Sequence, residues 1–229
     1  MTPLNILYID NHLLAVEKPA GLLIQGDRSG EPSLLDLSRD WLRREFNKPG
    51  EVFLGLLHRL DRQVPGVVLF ARTSKAASRL SQQFRDHTIK KFYCAVAEGI
   101  VEPEQATLVH YLRKERSLKA TVFPNPAPEA KRSELDYRVI ESLEGNASVL
   151  EIALKTGRFH QIRAQLSFSG HPLLGDSKYR AQWSLPKGGI ALYASRLEFS
   201  HPIDKKEILV QAPEPKGWPF WDQREKIRK

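Results

Sequence analysis

The sequence predicts an α+β protein of one domain, built on a mixed, largely antiparallel sheet flanked by a few helices. Apolar runs of strand length outnumber the segments with helical periodicity, and no strand–helix unit repeats along the chain. The 229 residues suit one large domain, and a composition with 41% hydrophobic and 27% charged residues is typical of soluble globular proteins.

The first part of the chain predicts a hairpin followed by a helix. Residues 5–10 and 13–17 have the β-branched and aromatic content of two short strands. Ser33 is a favourable N-cap, so we expect a helix over 33–46 that Pro49-Gly50 ends. The apolar positions that recur near the helical period are Leu34, Leu37, Trp41 and Phe46.

Two strands and a second helix are predicted next. Apolar runs over 52–57 and 67–71 have strand length. Ser74 is then expected to cap a helix, and residues 89–98 to form a further strand. The face of this helix that we expect to be buried consists of Ala77, Leu80 and Phe84.

The second half of the chain predicts mostly strands. These cover residues 107–112, 118–123, 134–140 and 148–154, with turns rich in proline or glycine between them. The spacing of Ile162, Leu166 and Ser169 predicts a helix over 159–169, closed by Gly170, with Arg163 at the edge of its core face. Two strands around His201-Pro202 complete the pattern over 191–210.

The charge balance favours a polyanionic partner. The chain has 35 Lys and Arg against 27 Asp and Glu, a formal net charge of +8, which puts nucleic acid first among the candidates. The single cysteine, Cys94, excludes an internal disulfide framework and any multi-cysteine metal site. The N-terminus lacks the features of a secretion signal, and no run approaches the roughly 18 apolar residues of a membrane span. We therefore expect a cytoplasmic protein without membrane contact.

A polar insert between two apolar strands is the most unusual segment. His58-Arg59-Leu60-Asp61-Arg62-Gln63 places three or four charges next to a predicted core. Such a position is costly in desolvation unless the charges have partners or a ligand. Either a structural ion-pair loop or a functional site satisfies this condition.

Several other enzyme classes are excluded by spacing. Gly21 and Gly26 have the separation of a phosphate-binding loop, but Asp27 stands where that loop needs lysine. The sequence has no Gly-x-Ser-x-Gly, no Gly-x-Gly-x-x-Gly after a strand, and no histidines spaced as in a metal-binding helix. Hydrolase, dehydrogenase and metalloenzyme interpretations therefore fail.

Three motifs in order resemble the RluA family of RNA pseudouridine synthases. His58-Arg59-Leu60-Asp61 followed by Gly66 resembles the signature loop of that family, Lys91–Val96 its second motif, and 154–163 its third. The segments 170–176 and 194–202 also match the family in order and spacing. The resemblance covers the chain from Leu7 to about Pro213. It implies a pseudouridine synthase catalytic domain over 1–229, with an active-site cleft across the sheet and a basic tail from about 214.

The resemblance implies an isomerase that converts a uridine of transfer RNA or ribosomal RNA to pseudouridine, with no cofactor and no metal. Asp61 matches the catalytic aspartate, which has to be ionised either to attack the nucleotide or to remove the 2′ proton. Arg163 matches the arginine that pairs with this carboxylate. Tyr93 matches the tyrosine whose ring packs on the flipped uracil and whose hydroxyl is proposed to help remove the C5 proton.

Other residues are implied in RNA contact. Arg59 resembles the arginine that fills the space left by the flipped base, and His58 and Arg62 flank it. Three residues of the third motif have two possible roles, which are contact with RNA and bracing of the loop by hydrogen bonds. They are Arg158, His160 and Gln161. Further candidates for phosphate contacts are the basic runs Lys90-Lys91, 113–119, Lys131-Arg132 and 224–229.

The sequence departs from the family pattern near the expected site. Val64-Pro65 replaces the usual Thr-Ser, and Gln165 stands where histidine is common. No room exists ahead of Leu7 for the N-terminal RNA-binding domain of many relatives, so RNA recognition would rest on the catalytic domain of an expected monomer. An inactive RNA-binding or RNA-chaperone protein, and a basic structural protein of an RNA particle, remain as alternatives.

Overall fold

The computed structural model describes residues 4–27, 30–144, 146–185 and 188–220, and the backbone of residues 225 and 226. The chain divides into two compact units, the first comprising Met1–Lys90 and Ala194–Pro213, the second Lys91–Tyr193 and Glu214–Lys229. A single catalytic domain over the whole chain stays a prediction. Among the described residues, no helix has the length and apolar character needed to cross a membrane.

The described residues contain three α-helices, one short 3₁₀ helix and thirteen strands. The helices are α1 (Leu34–Glu45), α2 (Ser74–Arg85), α3 (Gln161–Phe168) and the 3₁₀ helix η1 (Ser177–Tyr179). The strands are β1 (Asn5–Ile9), β2 (Leu13–Lys18), β3 (Gly55–Leu56), β4 (Gly66–Ala71), β5 (Lys90–Glu98), β6 (Gln105–Lys114), β7 (Ala120–Phe123), β8 (Lys131–Leu143), β9 (Ala147–Leu154), β10 (Trp183–Ser184), β11 (Leu192–Ser200), β12 (Glu207–Gln211) and β13 (Glu225–Lys226).

Strand β4 is central to the first unit. It pairs antiparallel with β2 and β3 and parallel with β11, while β1 pairs with β2 and β12 with β11. Val67 and Leu69 pack with α2 on one face of β4, and Val68 and Phe70 pack with α1 on the other. Because side chains alternate across a strand, burial on both faces accounts for the uninterrupted apolar sequence of β4.

The second unit contains an antiparallel set of strands in the order β5-β9-β8-β6-β7. Helix α3 packs against β6 and β7. Leu112 of β6, Ala120 of β7 and Ala164 of α3 share a core cluster with Tyr179 of η1. This packing fixes the segment that carries the third motif.

The structure confirms the predicted fold class, a mixed and mostly antiparallel sheet with a few helices. Helix α1 begins as predicted, because the Ser33 side chain and Asp36 form a capping box at its N-terminus. Helix α3 ends before Gly170, whose φ of +92° suits glycine. The short elements β10, β13 and η1 were not predicted.

Three details of the prediction are wrong. Thr73, not Ser74, caps α2, because the Thr73 hydroxyl accepts the Ala76 N–H. The strand expected over 52–57 is limited to β3. Val52 and Leu54 contribute side chains to the core, but the backbone around them does not pair with another strand. Phe46 is exposed, so the predicted face of α1 is displaced. The residues that α1 buries are Leu34, Leu35, Ser38 and Leu42.

Gly66 is required where β4 meets β11. It pairs with Ala194 and has a φ of +124°. An added Cβ would lie 2.6 Å from the backbone nitrogen and 2.7 Å from the carbonyl carbon of Ala194. Neither backbone atom can move without disturbing the parallel pair, so only glycine fits.

Gly66→Ala is therefore expected to lower the free energy of unfolding by about 3 kcal/mol or more, because overpacking and backbone strain add. Chemical denaturation of both proteins measures the loss. Gly26→Ala is the matched control, since its added Cβ would meet only a carboxylate oxygen of Asp36 at 3.9 Å. Equal losses in the two variants would contradict this account of Gly66.

Candidate functional site

The polar insert forms the connection between β3 and β4. His58 attaches this connection to the elements beside it, because its Nε2 accepts the Leu69 N–H at 3.0 Å and its ring stacks on Phe84 at 5.1 Å. Asp61 is half-buried, and its carbonyl accepts the Val64 N–H at 3.0 Å in a tight turn. The loop is thus held on a buried strand and is not a solvated excursion.

Lys18 binds the same loop by hydrogen bonds to backbone carbonyls. It has no exposed surface, and its Nζ donates hydrogen bonds to the carbonyls of Pro19, Leu22 and Arg62 at 3.0, 2.9 and 2.8 Å. An ammonium group has three donors, so this set satisfies all of them. The lysine thereby joins the end of β2 to the residue that follows Asp61.

The charge of Lys18 is electrostatically coupled to Asp61. Burial lowers the pKa of Lys18 from its ordinary 10.5 to about 7, and attraction by the Asp61 carboxylate opposes that shift. The charge of the nearby Arg62 lowers the pKa further. Lys18 and Asp61 therefore interact electrostatically within the first unit.

Arg59 and Arg62 are both exposed, and Arg62 braces the loop. The Nε of Arg62 donates to the carbonyl of Gly21 at 2.8 Å and its Nη2 to Glu31 at 2.6 Å, while the Gly21 N–H donates back to the Arg62 carbonyl at 2.8 Å. Of the two alternatives for the insert, a structural ion pair therefore describes Arg62. RNA contact by Arg59, His58 and Arg62 stays a prediction.

In the second unit, Tyr93 lies on β5 with 9% of its surface exposed. It pairs with Ile152 of β9, and Lys91 lies on the same face of the strand two residues earlier. Burial lowers the pKa of Lys91, and the charge of Arg158 lowers it further. A Cβ added to Gly157 would lie 3.7 Å from the Lys91 Nζ, so the second and third motifs meet at this ammonium group.

Arg163 is buried in α3, with 8% of its side chain exposed. Its Nε and Nη2 donate to the two carboxylate oxygens of Asp176 at 2.7 and 2.9 Å, and its guanidinium lies 5.2 Å from the centre of the Tyr179 ring. The expected position at the edge of the core face is therefore wrong. Such a two-pronged contact fixes the plane of the guanidinium.

Asp176 is a buried partner of Arg163 that sequence reasoning missed. Its side chain is 1% exposed, so both members of this ion pair are shielded from bulk solvent. The sequence did point to this segment, because Asp176 is the last residue of the 170–176 segment that resembles the family. Its spacing from Arg163 did not indicate that the two residues pair. The predicted pairing of Arg163 with Asp61 joins residues of different units and stays a prediction.

Gln161 braces the third motif. Its Oε1 accepts from the Thr156 hydroxyl at 2.7 Å and from the Arg158 N–H at 3.0 Å, and its Nε2 donates to the Glu134 carbonyl at 3.1 Å and to the Gln165 side chain at 2.9 Å. These bonds use both ends of a buried amide. Between the two alternatives left open for Gln161, the structure favours bracing.

His160 and Arg158 frame the start of α3. His160 has a φ of +52°, its ring stacks on Phe159, and its Nδ1 hydrogen-bonds the Tyr179 hydroxyl at 2.9 Å. Arg158 is exposed, and its Nε donates to the Arg132 carbonyl at 3.2 Å. Both remain predicted RNA contacts.

The two segments that depart from the family pattern, at Pro65 and Gln165, both form hydrogen bonds in the structure. The buried amide of Gln165 donates to the Leu108 carbonyl at 3.2 Å and hydrogen-bonds the His110 Nδ1 at 3.0 Å. The Pro65 carbonyl accepts the Ala194 N–H at 2.9 Å, beside the close contact at Gly66. Both departures are thus integrated into the packing of their own unit.

No group of three or more His, Cys, Asp or Glu that could hold a metal ion occurs within the described part of the chain. The reaction without metal or cofactor stays a prediction from the resemblance.

Comparison with known proteins identifies the family. Residues 12–168 match the family described as RNA pseudouridylate synthase. The chain belongs to this family, which confirms the membership and the enzyme class predicted from the three motifs.

Several named relatives agree. The chain is 32% identical over 213 residues to an uncharacterised RNA pseudouridine synthase of Bacillus subtilis, covering 93% of this chain and 69% of the relative. It is 33% identical to tRNA pseudouridine synthase C of Salmonella typhimurium, covering 94% and 87%. It is 30% identical to ribosomal large subunit pseudouridine synthase C of Vibrio cholerae, covering 91% of this chain but only 65% of that protein.

Solved structures confirm the fold. The human protein RNA Pseudouridylate Synthase Domain Containing 4 superposes with a TM-score of 0.77 at 23% identity, covering 93% of this chain and 89% of that one. The human RNA Pseudouridylate Synthase Domain Containing 1 gives a TM-score of 0.73 at 23% identity, covering 99% and 91%.

Lys18→Met is expected to destabilise the protein, because three carbonyls lose a donor, and the loss should depend on pH. The pKa of Lys18 is about 7 in the fold and 10.5 ordinarily, so between these values the unfolded chain binds more protons. The free energy of unfolding of the wild type then rises with pH, by at most about 1.4 kcal/mol per unit.

Denaturation of wild type and Lys18→Met at pH 6, 7, 8 and 9 measures this effect. Below pH 7 the difference in unfolding free energy between the two proteins should be constant, because Lys18 is protonated in both the folded and the unfolded wild type. Above pH 7 this difference should widen, because Lys18 loses its proton in the folded state first. A difference that stays constant from pH 6 to 9 would contradict the lowered pKa of the buried Lys18.

Asp176→Asn is expected to cost about 3 kcal/mol of unfolding free energy, since it leaves a buried guanidinium without its carboxylate. Asp136→Asn is the matched control, because its pair with Lys155, 2.8 Å apart, is largely exposed and should contribute less than about 1 kcal/mol. Thermal or urea denaturation separates the two; similar losses would argue against a buried Arg163–Asp176 pair.

Proposed function

We propose that this chain converts a uridine of transfer RNA or ribosomal RNA to pseudouridine, with Asp61 as the catalytic carboxylate. One observation carries the proposal: the family match over 12–168 includes the loop of Asp61, the strand of Tyr93 and the helix of Arg163. The names of the Salmonella and Vibrio relatives support the two RNA classes. A cytoplasmic location and a monomeric state are further predictions.

The reaction exchanges one bond of uracil for another. The bond between C1′ of ribose and N1 of uracil breaks, the base turns, C5 forms the new bond to C1′, and the proton on C5 leaves while N1 gains one. Asp61 either attacks the nucleotide or removes the 2′ proton, and both routes need the carboxylate ionised.

A positioned carboxylate is as necessary as an ionised one. A group displaced by an ångström loses much of the benefit of orientation. The hydrogen bonds of Lys18, His58 and Arg62 support a fixed loop around Asp61. This bracing is the main physical support for the assigned role.

Tyr93, Arg163 and Arg59 have separate proposed roles. The Tyr93 ring packs on uracil, and its hydroxyl takes part in removal of the C5 proton. Arg163, oriented by Asp176, supplies the fixed positive charge. Arg59 is exposed, as a side chain that enters the RNA has to be.

Asp61→Asn is expected to abolish pseudouridine formation while RNA affinity stays within a few-fold, because the side chain keeps its shape but loses its charge. Chromatography of nucleosides from digested RNA measures the product, and filter binding measures affinity. Asp86→Asn, at the exposed C-terminal end of α2, is the control and should behave as wild type.

Substantial product from Asp61→Asn would mean that the catalytic residue is misassigned. RNA binding by the wild type without product from either RNA class would favour the alternative, an inactive RNA-binding protein on the same fold.

A further inference from the structure

The turn between β6 and β7 concentrates positive charge. Residues 113–119 contain four basic side chains and one acidic one, Glu115, whose carboxylate pairs with Arg113 at 2.9 Å. Lys114, Arg116 and Lys119 are exposed. The internal pair neutralises Glu115, so these three cations give the turn a net positive charge.

The 3₁₀ helix η1 extends this charge from a distant part of the sequence. Lys178 is exposed, and its Nζ donates to the Leu118 carbonyl in the turn at 3.0 Å. Arg180 follows two residues later and is also exposed. We call the five exposed cations the basic hairpin surface: Lys114, Arg116, Lys119, Lys178 and Arg180.

Aromatic rings hold this surface against the third motif. The Lys114 ammonium lies 4.7 Å from the centre of the Phe159 ring, and the Lys119 ammonium 5.9 Å from that of Tyr179. The Tyr179 hydroxyl accepts the Ala120 N–H at 2.8 Å and hydrogen-bonds His160 at 2.9 Å. The turn is therefore anchored to the segment that leads into α3.

The other basic runs that the structure describes have different surroundings. Lys90 lies 3.5 Å from Glu198, and Arg132 lies 2.5 Å from Glu134, so each has a carboxylate partner. The side chains of the terminal run 224–229 lie outside the described residues. The basic hairpin surface is the cluster in which exposed cations come from two segments and are held by tertiary contacts.

We propose that the basic hairpin surface binds phosphates of the substrate RNA. Cations spread along a turn and a neighbouring helix match a chain of phosphates better than a single anionic group, and lysine and arginine neutralise phosphates at the expense of bound counterions. The proposal rests on the proposed function, because it takes RNA as the substrate. It adds a binding surface in the second unit, beyond the three motifs.

The test compares the salt dependence of RNA binding in two triple variants. Lys114→Gln/Arg116→Gln/Lys119→Gln removes three cations from the surface, and Arg44→Gln/Lys48→Gln/Lys75→Gln removes three exposed cations elsewhere. Filter binding of unfractionated transfer RNA and of fragmented large-subunit ribosomal RNA gives the affinity between 50 and 300 mM salt. For the hairpin variant, we expect the slope of log affinity against log salt to become shallower by about two to three.

The control variant should keep a slope close to that of wild type, and Lys114→Arg/Arg116→Lys/Lys119→Arg should restore binding because it keeps the charges. Unfolding midpoints of all variants verify that the fold is intact. An unchanged slope in the hairpin variant, or equal changes in both Gln variants, would overturn the proposal. Wild-type protein that binds RNA through this surface but forms no pseudouridine would contradict the proposed reaction alone, since binding is measured separately.

Discussion

The desolvation of buried positive charge is the constraint on which the candidate catalytic segments depend. Lys18 has no exposed surface, so three backbone carbonyls must replace its water, and one of them belongs to the loop of Asp61. Arg163 is buried in the second unit, and the carboxylate of Asp176 replaces its water in the same way. Each of these buried side chains is compatible with the fold only when its hydrogen-bond partners are in place. This requirement fixes the segments that carry the motifs.

Local chemistry made much of the fold predictable. The capping box of Ser33, the apolar run of β4 and the alternation of strands and turns after residue 105 each have a local physical cause, and the structure confirms them. The buried face of α1 differs from the predicted one, because burial depends on which other elements pack against the helix. The exposed Phe46 shows this difference. Such tertiary determinants are absent from a single window of sequence.

The sequence motifs predict which residues form the candidate site, but not the hydrogen bonds that hold the segments carrying them. The order of the motifs predicts Asp61, Tyr93 and Arg163 as site residues, but no spacing indicated that Lys18 and Asp176 are buried beside the segments that carry Asp61 and Arg163. Both are distant in sequence from the residues they hold, and a lone lysine or aspartate next to a turn resembles an ordinary surface residue. Their roles follow from long-range hydrogen bonds alone.

Release of tritium from C5 of uridine tests the central claim most directly, because the C5 proton has to leave when the base is rejoined through C5. Transfer RNA and ribosomal RNA labelled at C5, from cells lacking this protein, are incubated with wild type and with Asp61→Ala. We expect release by the wild type, matched by pseudouridine in digests, and none by the variant. Tight binding of both RNA pools by the wild type without release, or undiminished release by Asp61→Ala, would contradict the account.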